Sequence, residues 1–231
     1  MTYQLYIGDR TFSSWSLRGW LMLEKFGLSY NTHLVGLYAG TMAAEMKALA
    51  PARLVPALKT PEGWVIGESM AIAETLAEHH PDAGFWPEDP AQRIRARWLC
   101  AEMASGFSAL RGDCPMQLAH VNEGFVASAD VQRDLARIAT LWQSAWDMCG
   151  SSEEWLFGAY SLADAFYAPV AARIIGYNLD VSPEVRAYCL RTLSDTAFTT
   201  WRDAGLAVTY DPFPYETFAP LQPWPVEAEC D

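Results

Sequence analysis

A proline-bearing stretch at residues 79–90, HHPDAGFWPEDP, divides the chain into two parts with different residue patterns. Its three prolines and one glycine favour turns over regular structure, as is typical of a segment that crosses between domains. Before it, short apolar runs alternate with helical periodicity, and after it we find helical periodicity alone. We therefore expect two domains, residues 1–80 and residues 91–231, joined by a linker at residues 81–90.

The first eighty residues predict an alternation of strands and helices. Residues 3–7 predict a strand, and the helical spacing of Leu17, Trp20 and Leu21 predicts a helix that ends near Gly27. We then expect a second strand, a short helix, a hairpin around Pro61–Gly63 and a third helix. The second strand, the short helix and the two hairpin arms are expected at residues 30–37, 40–50, 56–60 and 64–68.

The second part of the chain predicts a helical domain. Ser161 and Asp164 form the pattern of a capping box, with Asp in place of the usual Glu, and Ser182–Pro183 starts another helix by the cap-then-proline rule. After about residue 206 the chain holds five prolines, which favours an extended strap or a flexible end. The other helices are expected within residues 91–115, within residues 130–149 and before Gly205.

Charge and cysteine content exclude several classes of partner. With 28 acidic and 16 basic residues the net charge is −12, which opposes binding to nucleic acid or to anionic lipid. The five cysteines are scattered and never form a CxxC pair, so neither a disulfide framework nor a metal site is indicated. The chain shows no membrane-length apolar run and no secretory signal pattern, so we expect a soluble, cytoplasmic protein without a metal.

Three serines, Ser13, Ser14 and Ser16, stand where the first predicted strand gives way to a helix. The first amides of a helix lack intrahelical partners and lie at the positive end of its dipole, so an anion such as a thiolate is stabilised there. A serine hydroxyl adds one directed hydrogen bond. The alternative is that these serines only cap the helix.

The motifs and their order resemble the cytosolic glutathione transferase superfamily over nearly the whole chain. SSWSLR, residues 13–18, is similar to the SSCSxR signature of the zeta class and its bacterial serine-type relatives. Val55–Pro56, Glu68–Ser69 and the capping box in SLADAFYAPV, residues 161–170, follow in the family's order. The resemblance implies an α/β thioredoxin-like domain that binds glutathione, an all-α carboxy-terminal domain, and a homodimer.

The resemblance also implies which groups activate the sulfur of glutathione. It assigns the catalytic hydroxyl to Ser13, with Ser14 assisting. The backbone amides of Ser14 and Trp15 would add donors, and Arg18, one turn into the helix, would add positive field.

The second and third motifs would hold the rest of the tripeptide. The backbone at Val55, before Pro56 in the cis form, would pair with the cysteinyl part of glutathione. Ser69, as helix cap, would bind the γ-glutamyl carboxylate, Glu68 the α-amino group and Arg53 the glycyl carboxylate. The alternatives are an ordinary cap with an exposed Glu68, and a solvated Arg53.

Two departures from the zeta pattern limit what the resemblance implies. Leu54 stands where that class favours glutamine, so one side-chain contact to glutathione is absent. Trp15 stands where it carries the cysteine that helps to isomerise maleylacetoacetate, and that activity is therefore not transferred. Trp15 is instead expected to narrow the entrance and to stack on a flat electrophile.

The pocket for the electrophile is expected on the first helix of the second domain. Met103, Phe107 and Arg111 follow one another at positions i, i+4 and i+8, in a stretch that resembles a bacterial subgroup of the superfamily. An apolar stripe of this kind also suits a core position. Arg111 would hold an acidic substrate or, alternatively, pair with a neighbouring carboxylate.

Two functions remain open on these grounds. The first is a glutathione transferase whose thiolate attacks a small electrophile, by conjugation or by glutathione-dependent reduction or isomerisation. The second is a non-catalytic scaffold or regulator, whose aromatic tail binds a protein partner. The tail aromatics are Tyr210, Phe213, Tyr215, Phe218 and Trp224.

Overall fold

Four short strands form a mixed sheet in the first part of the computed structural model, which describes residues 2–37, 39–209 and 215–224. The strand order is β2-β1-β3-β4, with β1 parallel to β2 and antiparallel to β3, and β3 antiparallel to β4. The strands are β1 Tyr3–Ile7, β2 Tyr30–Leu34, β3 Ala57–Lys59 and β4 Val65–Ile66. Alternate residues of β1 are buried, which gives the sheet one face toward the main core.

Helices cover this sheet. They are α1 Ser14–Glu24, α2 Met42–Glu45 and α3 Ser69–His79, with 3₁₀ turns at Met46–Leu49 and Pro81–Ala83. Helix α1 packs closely on the loop before β3, because a Cβ on Gly19 would lie 2.7 Å from that of Pro56. Glycine is therefore required where α1 crosses Pro56.

The rest of the described chain is mainly helical. The helices are α4 Pro90–Ser105, α5 Ser108–Asp113, α6 Ala129–Cys149, α7 Leu162–Gly176, α8 Pro183–Ser194 and α9 Thr196–Leu206. Every residue of α7 is buried, including Asp164 and Arg173, and its other residues are mostly apolar on all sides of the helix. It packs against α1, α4 and α8, so it joins the two parts of the molecule.

The capping box predicted for α7 is confirmed. The Ser161 hydroxyl accepts a hydrogen bond from the Ala163 amide at 3.3 Å, and the Asp164 carboxylate accepts one from the Ser161 amide at 2.9 Å. The predicted cap at Ser182, followed by Pro183 in the first turn of α8, is also present.

Two predictions from the sequence are wrong. The helix expected over residues 91–115 breaks at Gly106 and Phe107, where Phe107 has a left-handed backbone with φ of 57°. Two strands also occur beyond residue 91, β5 His120–Asn122 and β6 Leu221–Pro223, and they pair antiparallel. Local periodicity could not reveal this pairing because it joins segments about a hundred residues apart.

The predicted fold class is confirmed: a small α/β domain is followed by a helical one. Part of the tail is extended, with Trp224 buried, while residues 210–214 and 225–231 lie outside the described residues. None of the helices described is both long and apolar enough to cross a membrane.

Candidate functional site

Sheet register brings the three predicted motifs of the first domain to one end of the sheet. Tyr6 pairs with Ala57, and Leu58 pairs with Ile66, in antiparallel ladders. The end of β1 therefore lies beside the start of β3 and the end of β4. The loops that follow or precede these strands carry Ser13, Val55–Pro56 and Glu68–Ser69, which therefore lie at the same end of the sheet.

Ser13 lies at the N-terminus of α1 but does not cap it with its side chain. Its hydroxyl, in a residue 6% exposed, donates instead to Ser16 Oγ at 2.7 Å. Ser16 is fully buried, and its oxygen also accepts a hydrogen bond from the Gly8 amide at 2.8 Å. The interpretation that Ser13 and Ser16 serve only as caps is not what the geometry shows.

The amides at the start of α1 are partly occupied. The Ser13 amide donates to the Asp9 carbonyl at 2.8 Å, and the Ser14 amide donates to the Phe12 carbonyl at 3.0 Å. The Ser14 amide, predicted as a donor to the sulfur, is thus already in use. The Trp15 amide comes next in the first turn, where backbone donors lack intrahelical acceptors.

The loop before β3 has the predicted backbone form, because the Val55–Pro56 peptide is cis. Val55 is buried in a small cluster with Met46 and Ala57. Leu54 and Arg53 are exposed, so their side chains are free to meet a ligand that lies over this loop.

Glu68, and not Ser69, is the N-cap residue of α3, which corrects the sequence prediction. The Glu68 carboxylate accepts a hydrogen bond from the Ala71 amide at 3.0 Å and another from the Ser69 hydroxyl at 3.0 Å. Ser69 is the first residue of the helix and is buried. Both polar groups still lie together at the helix start, where the dipole favours a bound carboxylate.

Three guanidinium groups, of Arg18, Arg111 and Arg173, gather at the other side of Ser14. The Arg18 and Arg111 guanidinium carbons lie 4.2 Å and 5.2 Å from the centroid of the Trp15 ring. Arg173 Nη2 donates to Ser14 Oγ at 3.4 Å. We call these three residues the arginine cluster.

Backbone carbonyls hold the arginine cluster in place. Arg18 Nε donates to the Phe166 carbonyl at 2.7 Å, Arg173 Nε donates to the Cys114 carbonyl at 2.8 Å, and Arg111 Nη1 donates to the Gly106 carbonyl at 3.2 Å. Arg18 Nη2 is buried and has no hydrogen-bond partner among the described residues.

The cluster is electrostatically unfavourable as it stands. Burial, followed by the like charges of Arg173 and Arg111, lowers the pKa of Arg18 well below its usual value. Burial and then Arg111 lower the pKa of Arg173 to about 10. Both shifts arise because positive charges are brought together out of water.

Of the residues predicted to line the electrophile pocket, the structure brings only some close to Ser14. Met103 is fully buried in the main core. Phe107 lies at the break between α4 and α5, and is 6% exposed. Arg111 is half-buried on α5 beside Trp15, which places it near Ser14 as part of the arginine cluster.

Two residues of this site were not predicted from the sequence. Arg173 is a lone cation within the apolar stretch LADAFYAPVAARIIG, and a charge in such a helix is a sign of a special role. Ser16 was considered only as a cap, although it is the residue that holds Ser13.

A family model described as the N-terminal domain of glutathione S-transferase matches residues 12–79. The chain is 31% identical to a probable maleylacetoacetate isomerase of Caenorhabditis elegans, over 78% of this chain and 82% of that relative. It is 30% identical to the maleylacetoacetate isomerase of Rattus norvegicus, over 78% of this chain and 81% of that protein.

Solved structures give the same fold. A glutathione transferase homologue from Burkholderia, with bound glutathione, matches with a TM-score of 0.67 and 23% identity, over 90% of this chain and all of that one. A sphingomonad glutathione S-transferase complexed with glutathione matches with a TM-score of 0.63 and 18% identity, over 89% of this chain and all of that one.

Proposed function

The chain belongs to the cytosolic glutathione transferase superfamily, and from this premise we propose that it binds glutathione at the sheet end and uses its thiolate to attack a small electrophile. The observation that carries the proposal is the meeting of Ser13, Val55–Pro56 and Glu68–Ser69 at one edge of the sheet. These are the places that the resemblance assigns to the sulfur, the peptide backbone and the γ-glutamyl end.

Each part of the tripeptide has a chemically suitable group there. The γ-glutamyl carboxylate suits the start of α3 at Ser69, where the helix amides and dipole favour an anion. Its α-amino group suits the Glu68 carboxylate, which is exposed. The exposed Arg53 guanidinium is placed for the glycyl carboxylate, and the backbone of Val55 for the cysteinyl amide.

Three hydroxyl and amide groups form a relay that ends at the sulfur. In the structure Ser13 donates to Ser16, and this hydrogen bond would reverse when the tripeptide binds: because Ser16 Oγ accepts from the Gly8 amide, the Ser16 hydroxyl hydrogen can turn toward Ser13 Oγ. Ser13 then donates its own hydrogen to the sulfur. Hydrogen bonds in such a chain polarise one another, so Ser13 becomes a stronger donor to a thiolate. Ser14 and the Trp15 amide complete the site.

The chemistry needs a deprotonated sulfur and a positioned acceptor. The thiol proton leaves to solvent, the thiolate forms a bond to the electrophilic carbon, and a leaving group departs with its electron pair or the electrons pass to a conjugated acceptor. The curated relatives are named as isomerases. However, Trp15 stands where the zeta signature has the cysteine that helps isomerisation. We therefore propose addition or substitution as the main reaction, and a substrate screen tests reduction and isomerisation.

Ultraviolet titration of the thiolate of bound glutathione tests this proposal. A free cysteine thiol has a pKa of about 8.5, and we expect the bound thiol to titrate about two units lower. Ser13→Ala is expected to cost about a hundredfold in kcat while tripeptide binding persists. Ser16→Ala is expected to raise the bound thiol pKa by up to about one unit, since one hydrogen bond of the relay is lost.

Ser105→Ala serves as the matched control. Ser105 is exposed on α4 and its hydroxyl donates only to the Ala101 carbonyl at 3.0 Å, so this change should leave the titration unaltered. If bound glutathione titrates no lower than the free tripeptide, thiolate stabilisation is wrong. Equal turnover of wild type and Ser13→Ala would instead move the role to Ser14.

The alternative of a non-catalytic scaffold is not favoured. Trp224 is buried and Phe218 packs against Phe125 and Tyr177, so these tail aromatics contact their own chain. Tyr215 packs edge-on against Phe12. Tyr210 and Phe213 lie outside the described residues.

We also propose, by the family resemblance, that the protein is a two-fold homodimer and that the domains divide at residues 1–80 and 91–231. Light scattering coupled to size exclusion tests the dimer, and a monomer at micromolar concentration would contradict it.

A further inference from the structure

A cavity of about 410 Å³ lies at the far end of the sheet from the proposed glutathione site. Aromatic, imidazole and acidic side chains and one proline line it, namely Tyr3, Pro61, Glu62, Trp64, His79 and His80. Tyr3 begins β1, residues 61–64 join β3 to β4, and His79 ends α3. Ser69 begins the same helix, so the 11 residues of α3 separate the two sites by about 15 Å. We call this site the hairpin cavity.

Trp64 gives the hairpin cavity an aromatic surface. It is 73% exposed, so the face of its indole ring is available to a ligand. Tyr3 is buried, and its hydroxyl oxygen lies 2.9 Å from His80 Nε2 and 3.4 Å from His79 Nδ1. An imidazole that accepts the tyrosine hydrogen is neutral. Among the described residues that line this cavity, none is Lys or Arg.

The charge around the hairpin cavity is negative. Hydrogen bonds from its own backbone amide and from Thr60 lower the pKa of Glu62, so this carboxylate is ionised at neutral pH. Burial, followed by the negative charge of Glu62, raises the pKa of Tyr3. The C-terminal end of α3, at His79, adds the negative end of a helix dipole. The chain's net charge of −12 also favours the approach of cations.

We propose that the hairpin cavity binds a small organic cation, of the class of quaternary ammonium ions that carry an apolar group. The indole face of Trp64 attracts such a cation through its π-electrons, and the Glu62 carboxylate attracts it through charge. A quaternary ammonium ion needs no hydrogen-bond acceptor, which suits a carboxylate that already accepts hydrogen bonds from the protein. Binding of this cation goes beyond the proposed function and does not depend on the thiolate.

The cavity suits a cation better than a neutral or an anionic ligand of the same size. Its volume lies within the range of about 300–1,000 Å³ that is usual for small-molecule sites. A neutral aromatic ligand would stack on Trp64 but would gain nothing from Glu62 or from the end of α3. An anion would be repelled by both. The preference among charges is therefore the property to measure.

Three benzyl compounds that differ in charge test the site. Benzyltrimethylammonium, N-benzylacetamide and benzylsulfonate are each titrated calorimetrically into the full chain, with saturating glutathione present to fill the other site. We expect the cation to bind at least about tenfold more tightly than either analogue. Its affinity should fall as salt is added. The indole NH resonance of Trp64, identified by its loss in Trp64→Leu, should shift during the titration.

Two variants and two matched controls locate the binding. Trp64→Leu should weaken binding of the cation at least about tenfold, and Glu62→Gln about threefold. Trp98 is 48% exposed on α4 with its Nε1 donating to Glu102 at 2.8 Å, and Glu88 is exposed. Neither lines the cavity, so Trp98→Leu and Glu88→Gln should leave the affinity unchanged. Glutathione binding should be the same in all four variants.

Three results would overturn the inference. Equal binding of the three benzyl compounds would show a site without charge preference. An equal loss in Trp98→Leu and Trp64→Leu would show that the cation binds any exposed indole. The inference is also wrong if the cation does not bind, and a monomer formed by Trp64→Leu in light scattering would then assign this indole to a subunit interface. Each result leaves the transferase proposal standing, whereas loss of glutathione binding alone contradicts only that proposal.

Discussion

Helix α7 carries opposite buried charges near its two ends, and they are satisfied in different ways. Asp164, in the first turn, accepts four hydrogen bonds of 2.9 to 3.1 Å, from the Leu156 amide, the Ser161 amide and hydroxyl, and the Tyr188 hydroxyl. Arg173, in the last turn, donates to backbone carbonyls and to Ser14 and lies among further cations. The protein itself supplies all the hydrogen-bond partners of Asp164, whereas Arg173 has no negative charge beside it among the described residues.

This difference separates a charge that is hydrogen-bonded on all sides within the fold from charges that repel one another. Asp164 fixes the start of α7 and ties it to α8 through Tyr188. The arginine cluster lowers the free energy of unfolding, because like charges repel more strongly when they are buried. We therefore expect changes at Asp164 to destabilise the protein, and changes in the arginine cluster to alter activity at little cost in stability.

The largest effect is expected for Asp164→Ala. It leaves the Leu156 amide, the Ser161 amide and the Tyr188 hydroxyl buried without their acceptor, so we expect a loss of about 2–4 kcal/mol in the free energy of unfolding. Denaturation in urea measures it. Asp147→Ala, at an exposed position on α6, should change stability by no more than about 0.5 kcal/mol. Equal losses of stability in Asp164→Ala and Asp147→Ala would contradict the view that Asp164 has a special structural role.

The free energy of unfolding should also depend on pH through Asp164, by nearly as much as it falls in Asp164→Ala. Burial raises its pKa from 3.8 to about 6, so the folded protein holds this proton more tightly than the unfolded chain does. The part of the stability that depends on this proton is therefore complete below about pH 3 and is lost as the pH rises through about 6. Wild type should lose about 2–2.5 kcal/mol relative to Asp164→Asn between pH 4 and pH 7. A constant difference over that range would show that the four donors outweigh burial.

The smallest change in stability is expected for Arg111→Gln, and it is an increase rather than a loss. This change removes one of three like charges and keeps a donor for the Gly106 carbonyl, so we expect the free energy of unfolding to rise by about 0.5–1 kcal/mol without ligand. Urea denaturation at low salt measures the gain, which should shrink as salt is added. A loss of more than about 1 kcal/mol would mean that the cluster is structural.

Local patterns predicted where two helices of the second domain begin, and the family resemblance supplied the fold class. The capping box at Ser161 and the cap-then-proline pair at Ser182 are short-range signals, and both helices begin there. The helix break after Ser105 was missed because Met103, Phe107 and Arg111 keep an unbroken apolar-to-basic spacing through it. Gly106 was the available signal for the break.

The site was less predictable because its contacts cross long distances in the chain. Ser13, Pro56 and Glu68 could be proposed from their motifs, but the cap of α3 was assigned one residue too late. The arginine cluster joins residues of α1, α5 and α7, and periodicity carries no information on such encounters. A lone arginine in an apolar helix was the remaining clue to Arg173.

The Arg18–Phe166 hydrogen bond, which links α1 to α7, bears on whether the two halves of the molecule could be exchanged between relatives. Each half supplies one side of this contact, so replacing residues 1–80 by those of a paralogue would pair an unfamiliar α1 with this α7. Such a hybrid would lose this buried link unless the new α1 carried a donor for the Phe166 carbonyl.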